Sequence, residues 1–114
     1  MNDFDPAVLA MLHRVGGDKL VRKMADMFLL NAPVRIERIG AAIASADFAD
    51  AELASHSLKS SAGQLGLNGL QRICDELENA AKLQDSSRAL VLVQTAESEL
   101  RRGIEKLQAH IQSQ

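Results

Sequence analysis

His56 is the residue best placed to do chemistry in this chain, and the residues one helical turn away decide which chemistry. Positions i−4, i+3, i+4 and i+7 from it hold Glu52, Lys59, Ser60 and Gly63, which share its face if the segment is helical. A neutral imidazole is a good nucleophile near pH 7. With small residues beside it, the ring is open to a large electrophile. With Lys59 one turn on, a positive charge stands beside the nucleophile. Gly63 costs about 1 kcal/mol relative to Ala in mid-helix, so its presence implies that something approaches the backbone there. No carboxylate cluster is expected around His56, so this chain should hold no metal of its own.

Other chemistries find less support. Glu52 and His56 are spaced i, i+4, and no second pair exists, whereas di-iron bundles use paired Glu-x-x-His motifs. Cys74 is the single cysteine, which excludes an intramolecular disulfide and a Cys-based zinc site. It reads as an unreactive filler at the core edge. Neither G-x-x-x-x-G-K-[ST] nor G-x-G-x-x-G occurs, so no phosphate-cradling loop for ATP is expected. His13 and His110 lack comparable neighbours, and a histidine near a helix C-terminus suits the macrodipole without further role.

The elements that must carry these residues follow from periodicity. Asp5-Pro6 reads as an N-cap and first helical position, opening a short helix that Gly16-Gly17-Asp18 stops near Arg14. A second helix runs from about Lys19 to Ser45. Its inward row is Val21, Ala25, Phe28, Ala32, Ile36, Ile39, Ile43 and Ala46. The row keeps its phase across Pro33, which predicts one bent helix rather than two. Asp47 caps a third helix with Phe48, Ala51, Ser55, Leu58, Ala62 and Leu65 inward, and Gly66 ends it. On this wheel, at about 100° per residue, His56 points roughly 140° from the core, and Leu53 also lies off the core side. A fourth helix from Leu67 or Asn68 turns Leu70, Ile73, Leu77 and Ala80 inward. Asp85-Ser86-Ser87 is the next turn. The fifth helix, from about Arg88 to Ala109, carries Leu90, Val93, Leu100, Ile104, Leu107 and Ile111 in a near-heptad row. Short loops make neighbours antiparallel. The expected fold is all-α: one domain over residues 1–114, an up-down antiparallel four-helix bundle with a short additional N-terminal helix.

Composition agrees. Within 114 residues, Leu and Ala dominate the apolar 46%, while aromatics reach only 3% with no Trp or Tyr. That balance favours helix over strand. Thirteen Lys and Arg against fifteen Asp and Glu give a net charge of −2 and a pI near 5.9. A nucleic-acid binder shows a basic excess or stripe. The acidic Asp75, Glu76 and Glu78 argue against reading Ala62 to Leu77 as a DNA-binding helix-turn-helix, so no nucleic acid is expected as partner. The acidic N-terminus is no signal peptide. Uninterrupted apolar runs such as Ala89 to Val93 are far below the ~20 residues of a membrane span. A cytoplasmic protein without membrane contact is expected, with a single thiol suited to a reducing compartment.

The run His56-Ser57-Leu58-Lys59-Ser60-Ser61-Ala62-Gly63-Gln64-Leu65-Gly66 resembles the signature of histidine-containing phosphotransfer (HPt) domains, of the form H-x-[hydrophobic]-K, three small residues, x-x-[hydrophobic]-G. Leu70, Cys74, Leu77 and Glu78 continue the likeness, and Asp5-Pro6, Leu9 and Gly17-Asp18 resemble the family's opening helix and turn. The resemblance implies that His56 accepts a phosphoryl group and that Lys59 helps neutralise it. Glu78 would hydrogen-bond the histidine. Ser60 and Gly63 would be kept small for partner access, with Ser60 departing from the family's usual glycine. Glu52 and Leu53 would join them in docking. Implied partners are receiver domains of response regulators or hybrid sensor kinases, which would bring the aspartyl phosphate and Mg²⁺. The chain itself would be a monomeric phosphocarrier with no cofactor, rather than an enzyme. The alternative is a helical bundle that docks receivers, or is merely structural, without accepting phosphate.

Overall fold

The computed structural model describes residues 3–113 and folds them into four helices without strands among those residues: α1 (Pro6–Ala44), α2 (Phe48–Gln64), α3 (Asn68–Lys82) and α4 (Ser86–Gln112). Each helix packs on the next, and α4 closes back on α1. The expected short N-terminal helix is present as the first arm of α1. Gly17, at φ +70° and ψ −169°, breaks helical geometry and leaves arms 6–16 and 18–44. Asp5 caps the first arm by accepting from the Ala7 amide at 3.0 Å. The second arm runs through Pro33 as one helix.

The inward rows close into one core. Val21, Ala25, Phe28, Ala32, Ile36, Ile39 and Ile43 of α1 meet Ala51, Ala54, Leu58 and Ala62 of α2. Leu70, Cys74, Leu77, Ala80 and Ala81 of α3 face Ala89, Val93, Ala96, Leu100 and Leu107 of α4. Three expected core positions fall outside. Phe48 opens α2 at the end of the bundle and is only half-buried, apart from the core. Ala46 lies in the α1–α2 turn at φ +58°, exposed, because α1 has ended at Ala44 and the chain is reversing. Leu90 is 49% exposed; the inward stripe of α4 passes one position earlier, through Ala89 and Ala96. The last helix also starts sooner than the turn-like Asp85-Ser86-Ser87 suggests. Asp85 is its N-cap, accepting from the Arg88 amide at 3.1 Å, so Ser86 is already helical.

The α2–α3 connection fixes how the two site-bearing helices face each other. Gly66 adopts φ +75°, and the chain's N-terminal segment straps the turn. Asp5 donates its amide to the Gly66 carbonyl at 2.8 Å, and the Gly69 amide donates to the Asp3 carbonyl at 3.0 Å. Arg72 adds an ion pair to Asp3 at 2.8 Å. On the other side of α2, Arg35 donates to Ser61 at 2.8 Å and Arg38 pairs with Asp50.

A Cβ on Gly66 would land on the Asp5 carbonyl oxygen, whereas one on Gly17 would meet nothing. Both positions carry positive φ, which strains any L side chain by roughly 1–3 kcal/mol. Gly66→Ala is therefore expected to cost about 3 kcal/mol in urea unfolding and Gly17→Ala about half as much. Equal losses would show that the N-terminal strap contributes nothing to the turn.

Candidate functional site

Ser55 and Leu58, both fully buried, anchor α2 and turn His56 outward between them, leaving its side chain 59% exposed. On α3, Cys74, Leu77 and Ala81 enter the core. That places Glu78 at the edge of the α2–α3 seam, with its side chain only 9% exposed. The carboxylate faces the ring: His56 Nδ1 lies 3.0 Å from Oε2 and 3.3 Å from Oε1. A carboxylate can only accept, so Nδ1 carries the proton and Nε2 is left with a free lone pair on the solvent side.

Glu78 is the hub of the cluster. Lys59 donates to its Oε1 at 2.7 Å and to Asp75 Oδ1 at 3.1 Å. Lys82, one turn beyond Glu78 on α3, stands 3.9 Å from Oε2 and 4.0 Å from Glu52 Oε1. Burial by itself pushes the Glu78 carboxyl up. The hydrogen bonds from Lys59 and His56, with the Lys59 charge, outweigh it and hold the group below its ordinary value. Reciprocally, the hydrogen bonds to Glu78 and Asp75 raise Lys59 above the usual lysine value. Burial drives the Cys74 thiol up to about 12, which keeps it protonated and inert.

The structure brings His56, Lys59, Glu78 and Glu52 together. An open concavity beside the ring is lined by Ala49, Glu52, Leu53, His56 and Glu78. Leu53 is 62% exposed, and Ser60 lies on the open face. A close approach to Gly63 is present: the Gln71 side chain of α3, whose Nε2 would stand 2.5 Å from an added Cβ. The expected absence of carboxylates around His56 is also corrected. Glu52, Asp75 and Glu78 all gather there, because α3 supplies two of them across the seam, but lysines engage each one. Among the described residues no group of three or more His, Cys, Asp or Glu could hold a metal ion. Sequence reasoning missed Asp75 and Lys82 as members of the cluster. Their spacing from Glu78, i−3 and i+4, puts them on its face and was the available signal.

The bundle presents an outward imidazole held at Nδ1 by a carboxylate from the next helix, the arrangement that the resemblance to histidine phosphotransfer domains implies. The Hpt domain model matches residues 23–110, and the chain belongs to that family. Its fold matches the crystal structure of histidine-containing phosphotransfer protein B from Pseudomonas aeruginosa PAO1. The TM-score is 0.89 at 27% identity, covering 98% of this chain and 96% of that one. No curated protein sequence matches the chain significantly. Its role is histidine phosphotransfer in a phosphorelay.

The depressed Glu78 carboxyl links the site to stability. The folded state favours the ionised form, so this contribution is complete above the unfolded value near 4.5. It is lost as the pH falls through the lower folded value. Glu78→Gln should be less stable than wild type at pH 7, and the gap should shrink progressively below about pH 4.5. Urea midpoints of both proteins across pH 3–7 check this, and a gap independent of pH would remove the charge-based role.

Proposed function

We propose that His56 is the phosphoryl acceptor, taking the group from the aspartyl phosphate of one receiver domain and passing it to the aspartate of another. The observation that carries this reading is the exposed ring whose Nδ1 is keyed to the buried Glu78 at 3.0 Å. Nε2 holds a lone pair and no proton. It attacks phosphorus in line, and the bond from phosphorus to the aspartate oxygen breaks with its electron pair going to the carboxylate. No proton has to leave the attacking nitrogen. The ring becomes cationic, and the Nδ1 proton stays in its hydrogen bond to Glu78. The same atoms run the reverse step, which makes transfer reversible.

Lys59 contributes positive charge beside the group in transit while it holds Glu78 in place. The carboxylates near His56 are already engaged by lysines, so Mg²⁺ is assigned to the receiver, and this chain acts as a carrier rather than a catalyst. The face that meets the receiver includes Glu52, Leu53, Ser60 and the surface around Gly63. The exposed Leu53 is its apolar contact. Among the described residues no helix is long and apolar enough to cross a membrane. A monomer working in the cytoplasm, with receivers of response regulators or hybrid kinases as partners, fits this chemistry.

Incubation with a panel of phosphorylated receivers should transfer acid-labile label to wild type, and none to His56→Gln. Lys59→Ala should slow transfer by roughly 10-fold, about 1.4 kcal/mol in the barrier. Equal labelling of His56→Gln, or no label on wild type from any competent receiver, refutes the assignment. The latter outcome would leave a bundle that only docks.

A further inference from the structure

Two ammonium groups flank Glu78, and they are held very differently. Lys59 is committed: its side chain is 25% exposed, with hydrogen bonds of 2.7 and 3.1 Å to Glu78 and Asp75. Lys82 is loosely held. Its side chain is 52% exposed, and its separations of 3.9 and 4.0 Å from Glu78 and Glu52 are too long for hydrogen bonds. The two also approach different oxygens of Glu78, Lys59 at Oε1 and Lys82 at Oε2. Lys59 is turned toward Asp75. Lys82 pairs with Glu52, which lines the open concavity beside His56. His56 and Glu78 line the same concavity, so Lys82 lies two contacts from the ring, through Glu52 and through Glu78.

The local charge makes a mobile cation necessary. Glu52, Asp75 and Glu78 outnumber the two lysines, and a phosphoryl group adds a charge of about −1.5 to −2 at pH 7. Moving Lys59 onto it would strip hydrogen bonds from a buried carboxylate and loosen the group that orients the ring. Moving Lys82 breaks no hydrogen bond.

We propose that Lys82 is the phosphoryl-binding cation of this site. On phosphorylation its ammonium leaves the gap between Glu52 and Glu78 and pairs directly with the equatorial oxygens on Nε2 of His56, while Lys59 keeps its hydrogen bonds to Glu78 and Asp75 and adds its charge from there. The assignment rests on His56 being the acceptor. Glu52 then competes with the phosphoryl group for Lys82, so its charge holds the cation in reserve and opposes the phosphorylated state.

Phosphoramidate tests this on the full chain without a receiver, so docking plays no part. The Nε2 lone pair attacks its phosphorus, and the P–N bond breaks with ammonia as leaving group. Labelling rate and the pH titration of the phosphohistidine ³¹P shift are measured for wild type, Lys82→Met, Lys82→Arg and Glu52→Gln. A paired ammonium favours the phosphoryl dianion, so its loss should move the titration midpoint up. The Lys82→Met variant should label several-fold more slowly, with a midpoint higher by roughly half a pH unit. The Lys82→Arg variant should restore both readouts, and Glu52→Gln should label faster than wild type. If Lys82→Met matches wild type in rate and midpoint while His56 still takes label, the assignment of Lys82 is wrong and the carrier reading stands. If wild type takes no label on His56, the carrier reading itself fails, and the assignment falls with it.

Discussion

The Glu78 carboxylate, sunk into the α2–α3 seam and shared by His56 and Lys59, is the interaction on which the rest of the site depends. A carboxylate at this depth is tolerable only if its oxygens are bonded, and both partners come from α2, one turn apart. The buried group therefore demands a fixed rotation and register of two helices. The N-terminal strap on Gly66 and the core rows through Leu58 and Leu77 supply them. In return it sets the tautomer of the ring. The fold's polar anchor and the site's chemical switch are one contact.

Alanine explains how such short side chains reach one another. Ala51, Ala54 and Ala62 line the inner face of α2, and Ala80 and Ala81 that of α3. Small residues let helix axes approach, so Glu78 can meet the ring directly rather than through a longer reach. The larger Leu and Ile side chains complete the buried core. Gly69 and Gly103 continue the close approach at the strap end, where Leu67, Asp3 and Glu99 occupy the space a methyl group would need.

Much of this was legible in the sequence because it is local or periodic. The outward turn of His56 follows from the inward spacing of Ser55 and Leu58, and the break at Gly17 from a glycine pair after a short helix. The contact of Glu78 with His56 could not follow from either helix alone. It depends on a register set by the α2–α3 turn, and only the family resemblance indicated it. What approaches Gly63 was hidden for the same reason: its neighbour Gln71 belongs to the facing helix. Leu90 was misplaced because a leucine is weighed above an alanine when a stripe is drawn, and Ala46 because the helix ends two residues before it. In α4 the core is thin enough that Ala89 and Ala96 hold the inner positions. Asp75 and Lys82 were visible as helical neighbours of Glu78, but an exposed charge at i−3 or i+4 ordinarily means nothing. They gain meaning only once Glu78 is known to be buried.

A carboxylate at this position creates a conflict that an amide would not. In the proposed transfer to Nε2, its charge would stabilise the imidazolium that forms, which favours acceptance. The same charge repels the phosphoryl oxygens across the ring, which opposes it. Lysine on both sides resolves the conflict by distance. The pairing of Lys59 to Oε1 at 2.7 Å cancels much of the field that Glu78 casts toward solvent, while the ring proton, at 3.0 Å from Oε2 on its nitrogen, still feels the near oxygen. The carboxylate thus acts on the ring at short range and is nearly silent at the longer range of the phosphoryl group. A carrier that must both accept and surrender its cargo needs that balance, because a site that stabilised only the phosphorylated state would trap it.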